Sequence, residues 1–367
     1  MNRALRCAVL IAGWTASAQT VRWTKHIPPG FGDARLAGSV LDGNILAAWG
    51  ERIVAYRLPD FRREVIRDAG PQLGEGGCQM DVNGDGKLDV IVNEKGARPA
   101  LVWFEAPRWS RHEIDSGIDA HDIIPATLFG RRGVLLIHRG MQVRFYQVPR
   151  QTDAAWPSRD IYSFYSASDQ GGLRLADVDG DGRTDIFCGN YWIQSPAEFD
   201  LPWRLFAIKL WSEEKPSAIT TFAWSDLFRR DMPVLVAAQA EVRGALLAWF
   251  EKPVDPKQLW PVHPIGSGLG LDRPHSVAVA DFDLDGRRDL LVAERGENAR
   301  ILVVWNRAGG RLDPEVIGRV PGLAHARAAD VNRDGRTDIV IIGTSGAAWW
   351  ENSRTEPRPP ESGYHKD

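Results

Sequence analysis

Four short acidic stretches carry the residues best suited to chemistry. They read "DVNGDGKLD" (Asp81 to Asp89), "DVDGDGRTD" (Asp177 to Asp185), "DFDLDGRRD" (Asp281 to Asp289) and "DVNRDGRTD" (Asp330 to Asp338). Each places oxygen-bearing side chains at positions one, three and five, glycine at six and aspartate at nine. A hard cation such as Ca²⁺ takes about six to eight oxygen ligands from carboxylates, amides and backbone carbonyls. Acids at alternate positions can turn inward together only if the backbone curls round the ion, and glycine at position six permits that curl. The expected ligands are Asp81, Asn83, Asp85 and Asp89; Asp177, Asp179, Asp181 and Asp185; Asp281, Asp283, Asp285 and Asp289; and Asp330, Asn332, Asp334 and Asp338. Lys87, Arg183, Arg287 and Arg336 at position seven would contribute through their backbone carbonyls. The expected cofactor is Ca²⁺, up to four ions, in a structural role.

Each loop resembles half of an EF-hand, but position twelve is Val92, Cys188, Val292 or Ile341, not the glutamate that an EF-hand requires. The residues that follow, "VIVN", "IFCG", "LLVA" and "IVII", read as short buried strands. An acidic loop between two strands resembles the FG-GAP/VCBS repeat family, of which the integrin α-subunit propeller is the best-known relative. The resemblance covers nearly the whole mature chain and implies β-propeller blades with Ca²⁺ between the first two strands of a blade, in an exported, bacterial-type protein.

The first two gaps between loops are about twice the third, so units without the acidic loop lie between them. Two further markers recur seven times each. One is an aromatic-rich strand ending in a turn, as in "LVWFEAP" (101–107) and "AAWWENS" (347–353). The other is an alternating strand, as in "WSRHEI" (109–114) and "LDPEVI" (312–317). The last unit lacks its fourth strand, and the chain opens with an orphan fourth strand, "VRWTKHI" (21–27). Ring closure resolves both and leaves no free edges at the join. The expected fold is all-β, a seven-bladed propeller of four-stranded antiparallel blades over residues 19–353. The turns of blades one, three and five, near residues 41–44, 129–133 and 228–233, lack the acids, and the last two carry arginine pairs instead.

Residues 1–18 read as a secretory signal peptide: Arg3 and Arg6, an apolar run from Cys7 to Trp14, and "ASA" before Gln19. This predicts a secreted or periplasmic protein. Residues 354–367 are polar and proline-rich, a disordered tail. No apolar run reaches the length of a membrane helix. A net charge of −3 argues against a nucleic-acid partner. Cys78 and Cys188 fall in different units and are expected to be buried free thiols. A monomer is expected.

Propellers host both enzymes and binders, so the axis is the place to look for a site. His121, His275 and His325 stand at the starts of innermost strands, with Asp33, Glu75 and Asp169 near equivalent points. Three imidazoles and three carboxylates at one channel mouth would suit a metal or general acid–base work on a sugar. His26, His112 and His263 each follow a tryptophan by three residues and are periodic features of the repeat. The sequence has no G-x-S-x-G, P-loop, Rossmann glycine pattern, HExxH or CxxC motif. Two functions remain open: a scaffold that binds a protein or carbohydrate, or a sugar lyase or dehydratase, some of which are similar in propeller and acidic loops.

Overall fold

The computed structural model describes residues 21–27, 36–165, 169–208, 218–228, 232–344 and 346–354. The signal-peptide reading, Asp33, and all of the tail except Arg354 lie outside these residues. Seven four-stranded antiparallel blades follow one another along the chain. The innermost strands are Leu36–Asp42, Leu73–Met80, Ala120–Leu128, Leu173–Ala176, Ala218–Ser225, Pro274–Ala280 and Leu323–Ala329. Each touches the next, and the seventh touches the first, so they form a closed ring round an axis.

The first described strand, Val21–His26, completes the seventh blade as its outermost strand. It pairs antiparallel with Gly346–Arg354, in register from Val21↔Arg354 to His26↔Trp349. The ring closure expected from the sequence is therefore present. Blade five carries one addition: Gln170–Gly171 pairs parallel with the start of its innermost strand.

The strands alternate little between apolar and polar because both faces of most blades are covered by neighbours. Second strands such as Asp89–Glu94 and Asp289–Glu294 are buried throughout. Trp49, Trp103, Trp192 and Trp260 are buried within the blades. Trp49 occupies space that Gly38 and Gly77 leave free, since a Cβ on either would stand 2.2 or 2.6 Å from the indole. Its Nε1 donates to the Gly74 carbonyl at 2.9 Å. Cys78 and Cys188 are buried free thiols, as expected. No helix among the described residues is long and apolar enough to cross a membrane.

Five innermost strands begin with a β-bulge, marked by register shifts at Leu36/Gly38, Leu73/Gly77, Ala120/Asp122, Pro274/Ser276 and Leu323/His325. A bulge leaves a residue outside the ladder and re-aims its side chain. Glu75, His121 and His275 are such residues.

Candidate functional site

The four acidic loops share one geometry. The aspartate at position one folds the loop by accepting its backbone N–H groups: Gly84 donates to Asp81 Oδ1 at 2.7 Å and Gly86 to Oδ2 at 2.9 Å. The bond from position six recurs at 2.9 Å in the other three loops, to Asp177, Asp281 and Asp330. Glycine is required there, with φ of 82° at Gly86 and Gly182, 87° at Gly286 and 84° at Gly335. Position four is also left-handed, even where it is Leu284 (54°) or Arg333 (64°). The position-seven N–H donates to the position-five carboxylate at 2.9 Å in every loop.

Positions one, three and five converge. In blades four and six one oxygen from each of Asp177, Asp179 and Asp181, and of Asp281, Asp283 and Asp285, lies within 4.8 Å of the others. Asp283 Oδ1 is buried without a hydrogen-bond partner. Burial raises the Asp283 pKa, as do the charges of Asp285 and Asp281. An orphaned oxygen in a self-repelling acidic cluster is a donor set that suits a cation. The position-seven bases partly answer that charge. Lys87 Nζ lies 2.7 Å from Asp85 Oδ2, and Arg183 and Arg287 pair with Asp181 and Asp285. Arg336 turns instead to the Asn352 carbonyl, at 3.2 Å.

The aspartates at position nine stand apart from these convergent groups. Asp89, Asp185, Asp289 and Asp338 are almost wholly buried, and each oxygen accepts a backbone N–H. Asp89 Oδ2 takes the N–H of Val82 and Oδ1 that of Ala106, both at 2.8 Å. Asp338 takes those of Val331 at 2.9 Å and Asn352 at 2.8 Å. Each thus pins position two of its loop to the end of the third strand. Burial raises these carboxyls to about 6, or about 7 for Asp289.

One set of loop neighbours escaped the sequence reading. The side chain facing position three comes from the third strand and differs in kind with it. Asn83 donates to Glu105 at 2.9 Å and Asn332 to Glu351 at 3.3 Å. Asp179 instead accepts from Gln194 at 2.5 Å, and Asp283 from Arg307 at 2.9 Å. All four partners stand two residues after a third-strand tryptophan (Trp103, Trp192, Trp305 and Trp349), which is the signal that would have found them.

The periodic histidines lie over third-strand tryptophans in blades two, seven and five. His112 stacks on Trp103 with centroids 4.4 Å apart, His26 on Trp349 at 4.5 Å and His263 on Trp249 at 3.8 Å. Each also reaches a glutamate, with His26 Nε2 2.7 Å from Glu351.

On the axis, the bulged side chains meet across the ring. Arg295 follows the second strand of blade six and pairs with Glu75 of blade two and, at 3.2 Å, with Glu241 of blade five. His275 Nε2 lies 3.5 Å from Glu75 and 3.4 Å from Glu241. Burial would raise the Glu75 carboxyl, but hydrogen bonds from His275 and Arg295 hold it down at about 2. His325 packs edge-on to His275 at 4.8 Å, and its Nε2 is 3.0 Å from the Ala37 carbonyl. Burial drives the His325 pKa well below its ordinary value.

His121 turns elsewhere, with Nδ1 2.8 Å from Asp122 Oδ2. Burial would lower its pKa, but the Asp122 hydrogen bond raises it to about 9. Asp169 is exposed and lies against Gly140. The structure therefore unites His275, His325 and Glu75, pairs His121 with Asp122 although the Glu75 charge still reaches it, and leaves Asp169 exposed. Among the described residues no three axial ligand atoms gather within metal-binding range.

Residues 281–341 match the FG-GAP-like repeat family, a span running from the acidic loop of blade six into the second strand of blade seven. No curated protein matches the chain. Among solved structures it is similar to YCF48 from Cyanidioschyzon merolae, with 11% identity and a TM-score of 0.58 over 89% of this chain and 98% of that one. It is also similar to Saccharomyces cerevisiae Sqt1, with 9% identity and a TM-score of 0.53 over 85% and 82%. At these identities the likeness is one of fold.

Proposed function

We propose that this protein is an exported binding module, a propeller whose four acidic loops each hold a structural Ca²⁺ ion and whose ligand is a protein or a glycan. The observation that carries the reading is the one loop geometry kept in four blades, with an orphaned carboxylate oxygen at its centre in blade six. Side-chain oxygens at positions one, three and five would hold the ion, with the position-seven carbonyl. The position-nine aspartates would add whatever lone pairs their backbone bonds leave free. The ion supplies charge neutralisation and closes the loop. Extracellular Ca²⁺ is plentiful enough to fill sites of about 10⁻⁴–10⁻³ M, so metal use and export are consistent.

The binding reading is supported by the axis. Glu75, Glu241 and Arg295 pair with one another and with His275 Nε2, and His121 Nδ1 pairs with Asp122, while His275 Nδ1 and His121 Nε2 are buried without a hydrogen-bond partner. The test is a thermal melt of the protein with EDTA and then with Ca²⁺: chelation should lower the midpoint and Ca²⁺ restore it, and an unchanged midpoint would remove the metal. Screening oligosaccharides with the wild type and His275→Ala addresses the rest. Turnover lost in the variant would replace binding with enzymatic action. Mass spectrometry of exported protein should find Gln19 at its start.

A further inference from the structure

Two arginines take no part in the ion pairs described above. Arg174 projects from the innermost strand of blade four and Arg327 from that of blade seven. They occupy one register, each two residues before the partner of a position-nine aspartate (Ala176↔Asp185 and Ala329↔Asp338). The same register holds Cys78 in blade two and Ala278 in blade six, so the fold does not demand arginine there. Blades five and six lie between four and seven on one side and blades one to three on the other, which puts the two strands on opposite sides of the closed ring.

Their hydrogen bonds go to backbone carbonyls. Arg327 Nη2 donates to Ser39 O at 2.9 Å and Nη1 to Ala326 O at 3.2 Å. Arg174 Nε donates to Phe222 O at 3.2 Å and Nη1 to Leu173 O at 3.3 Å. Two of these bonds reach the innermost strand of the next blade and fix the guanidiniums in place. Arg327 Nη2 also lies 3.4 Å from His325 Nδ1. Among the described residues neither arginine makes an ion pair, whereas Arg67, Arg144, Arg295 and Arg300 all do. Asp122 acts on Arg174 from longer range, but its Oδ2 is taken by His121 and by the Gly172 N–H at 3.1 Å.

Burial and, after it, the charge of Arg174 together lower Arg327 to about 10, so Arg327 feels the other cation. Arg174 is exposed and Arg327 half-buried, so both guanidiniums can be reached by a dissolved ion. A pair of guanidiniums, held by backbone bonds with donors to spare, is the arrangement that recognises a tetrahedral anion.

We propose that Arg174 and Arg327 form an axial oxyanion site that takes a doubly charged phosphate- or sulfate-type group. Such a group would bridge the two guanidiniums and cancel their repulsion. Its source is either the free ion or an ester on a sugar, which share this chemistry.

The experiment uses the full chain and titrates sodium sulfate, inorganic phosphate and a hexose sulfate against sodium chloride at matched ionic strength. Thermal midpoint and calorimetric binding are both read. The expected result is a saturable rise in midpoint with sulfate and phosphate but not chloride. Arg174→Met and Arg327→Met should each weaken binding at least tenfold and should raise the midpoint in anion-free buffer. Tighter binding of the hexose sulfate than of sulfate would assign the site to an ester; equal or weaker binding would assign it to the free ion. Should a methionine variant fail to fold, Arg327→Lys keeps the charge and loses the planar fork, and it should bind at least several-fold more weakly. An anion effect equal to that of chloride, or one that persists unchanged in the variants, would overturn the proposal.

Discussion

The same join, from innermost strand to second strand, is made in two ways. Blades one and three make it with two residues. Asp42 pairs with Ile45 round Gly43 and Asn44, and Leu128 pairs with Arg131 round Phe129 and Gly130. Blades two, four, six and seven make it with an acidic excursion that ends on a buried aspartate. The N–H at the end of the third strand shows the difference most clearly. In the tight turns it goes to a backbone carbonyl, Leu58 to Asn44 at 2.8 Å and Val148 to Arg132 at 2.9 Å. In the acidic blades it goes to the position-nine carboxylate. A blade therefore closes without any acid, and the long loops are not needed for the turn itself. Their self-repelling carboxylates are thus a feature that closing the blade does not require.

The largest test removes the staple. Asp338→Ala strands the buried N–H groups of Val331 and Asn352, each a loss of about 1–3 kcal/mol, so urea titration should show about 2–5 kcal/mol less stability. Asn44→Ala in blade one should cost well under 1 kcal/mol, because the backbone carbonyl that does the work there is kept. Equal losses would erase the distinction between the two joins.

Next comes metal. At about a hundredfold excess over Kd, each independent site adds about 2.7 kcal/mol, so chelation should lower the thermal midpoint by several degrees. Replacing residues 81–88 with a two-residue Gly-Asn turn should leave a folded ring with one fewer Ca²⁺ bound by calorimetry. Loss of the fold would mean that the loop is needed for the turn after all.

The third test separates turns from axis. His121 belongs to blade three, whose turn has no acids, and its folded pKa is raised to about 9. A raised histidine contributes in full below its unfolded value of about 6.5 and loses that contribution as pH rises through the folded one. With Ca²⁺ saturating, stability should therefore fall between pH 6.5 and 9, and Asp122→Asn should flatten the fall.

The smallest effect concerns the stacked histidines. His112→Ala in acidic blade two and His263→Ala in acid-free blade five should each cost about 0.5–1.5 kcal/mol. Similar values would show that the stack belongs to the blade and not to the turn. A loss confined to His112 would tie it to Glu105 and the loop.

The ring, the blade count and the closing strand were legible because acids, tryptophans and turns recur at fixed places within a unit. The loop curl was legible because glycine stands wherever position six requires a left-handed backbone. The role of Asp89 and its equivalents was not, since a sequence shows a carboxylate but not which donors take its lone pairs. The Glu75–Arg295 contact joins residues 220 apart in the chain and depends on bulges that carry no residue-type signature. His121 shares its place at the strand head with His275, yet the adjacent Asp122 captures it, and position alone could not show that.

The pairing of Val21–His26 with Gly346–Arg354 has a mechanical meaning. Because Val21 lies beside Arg354, a pull between these two residues loads the hydrogen bonds of the seam one at a time, as a zipper is opened, and not all together in shear. The circle should part there at low force while the other six sheets stay intact, so a molecule held at both sides of that seam would yield first by opening into an arc.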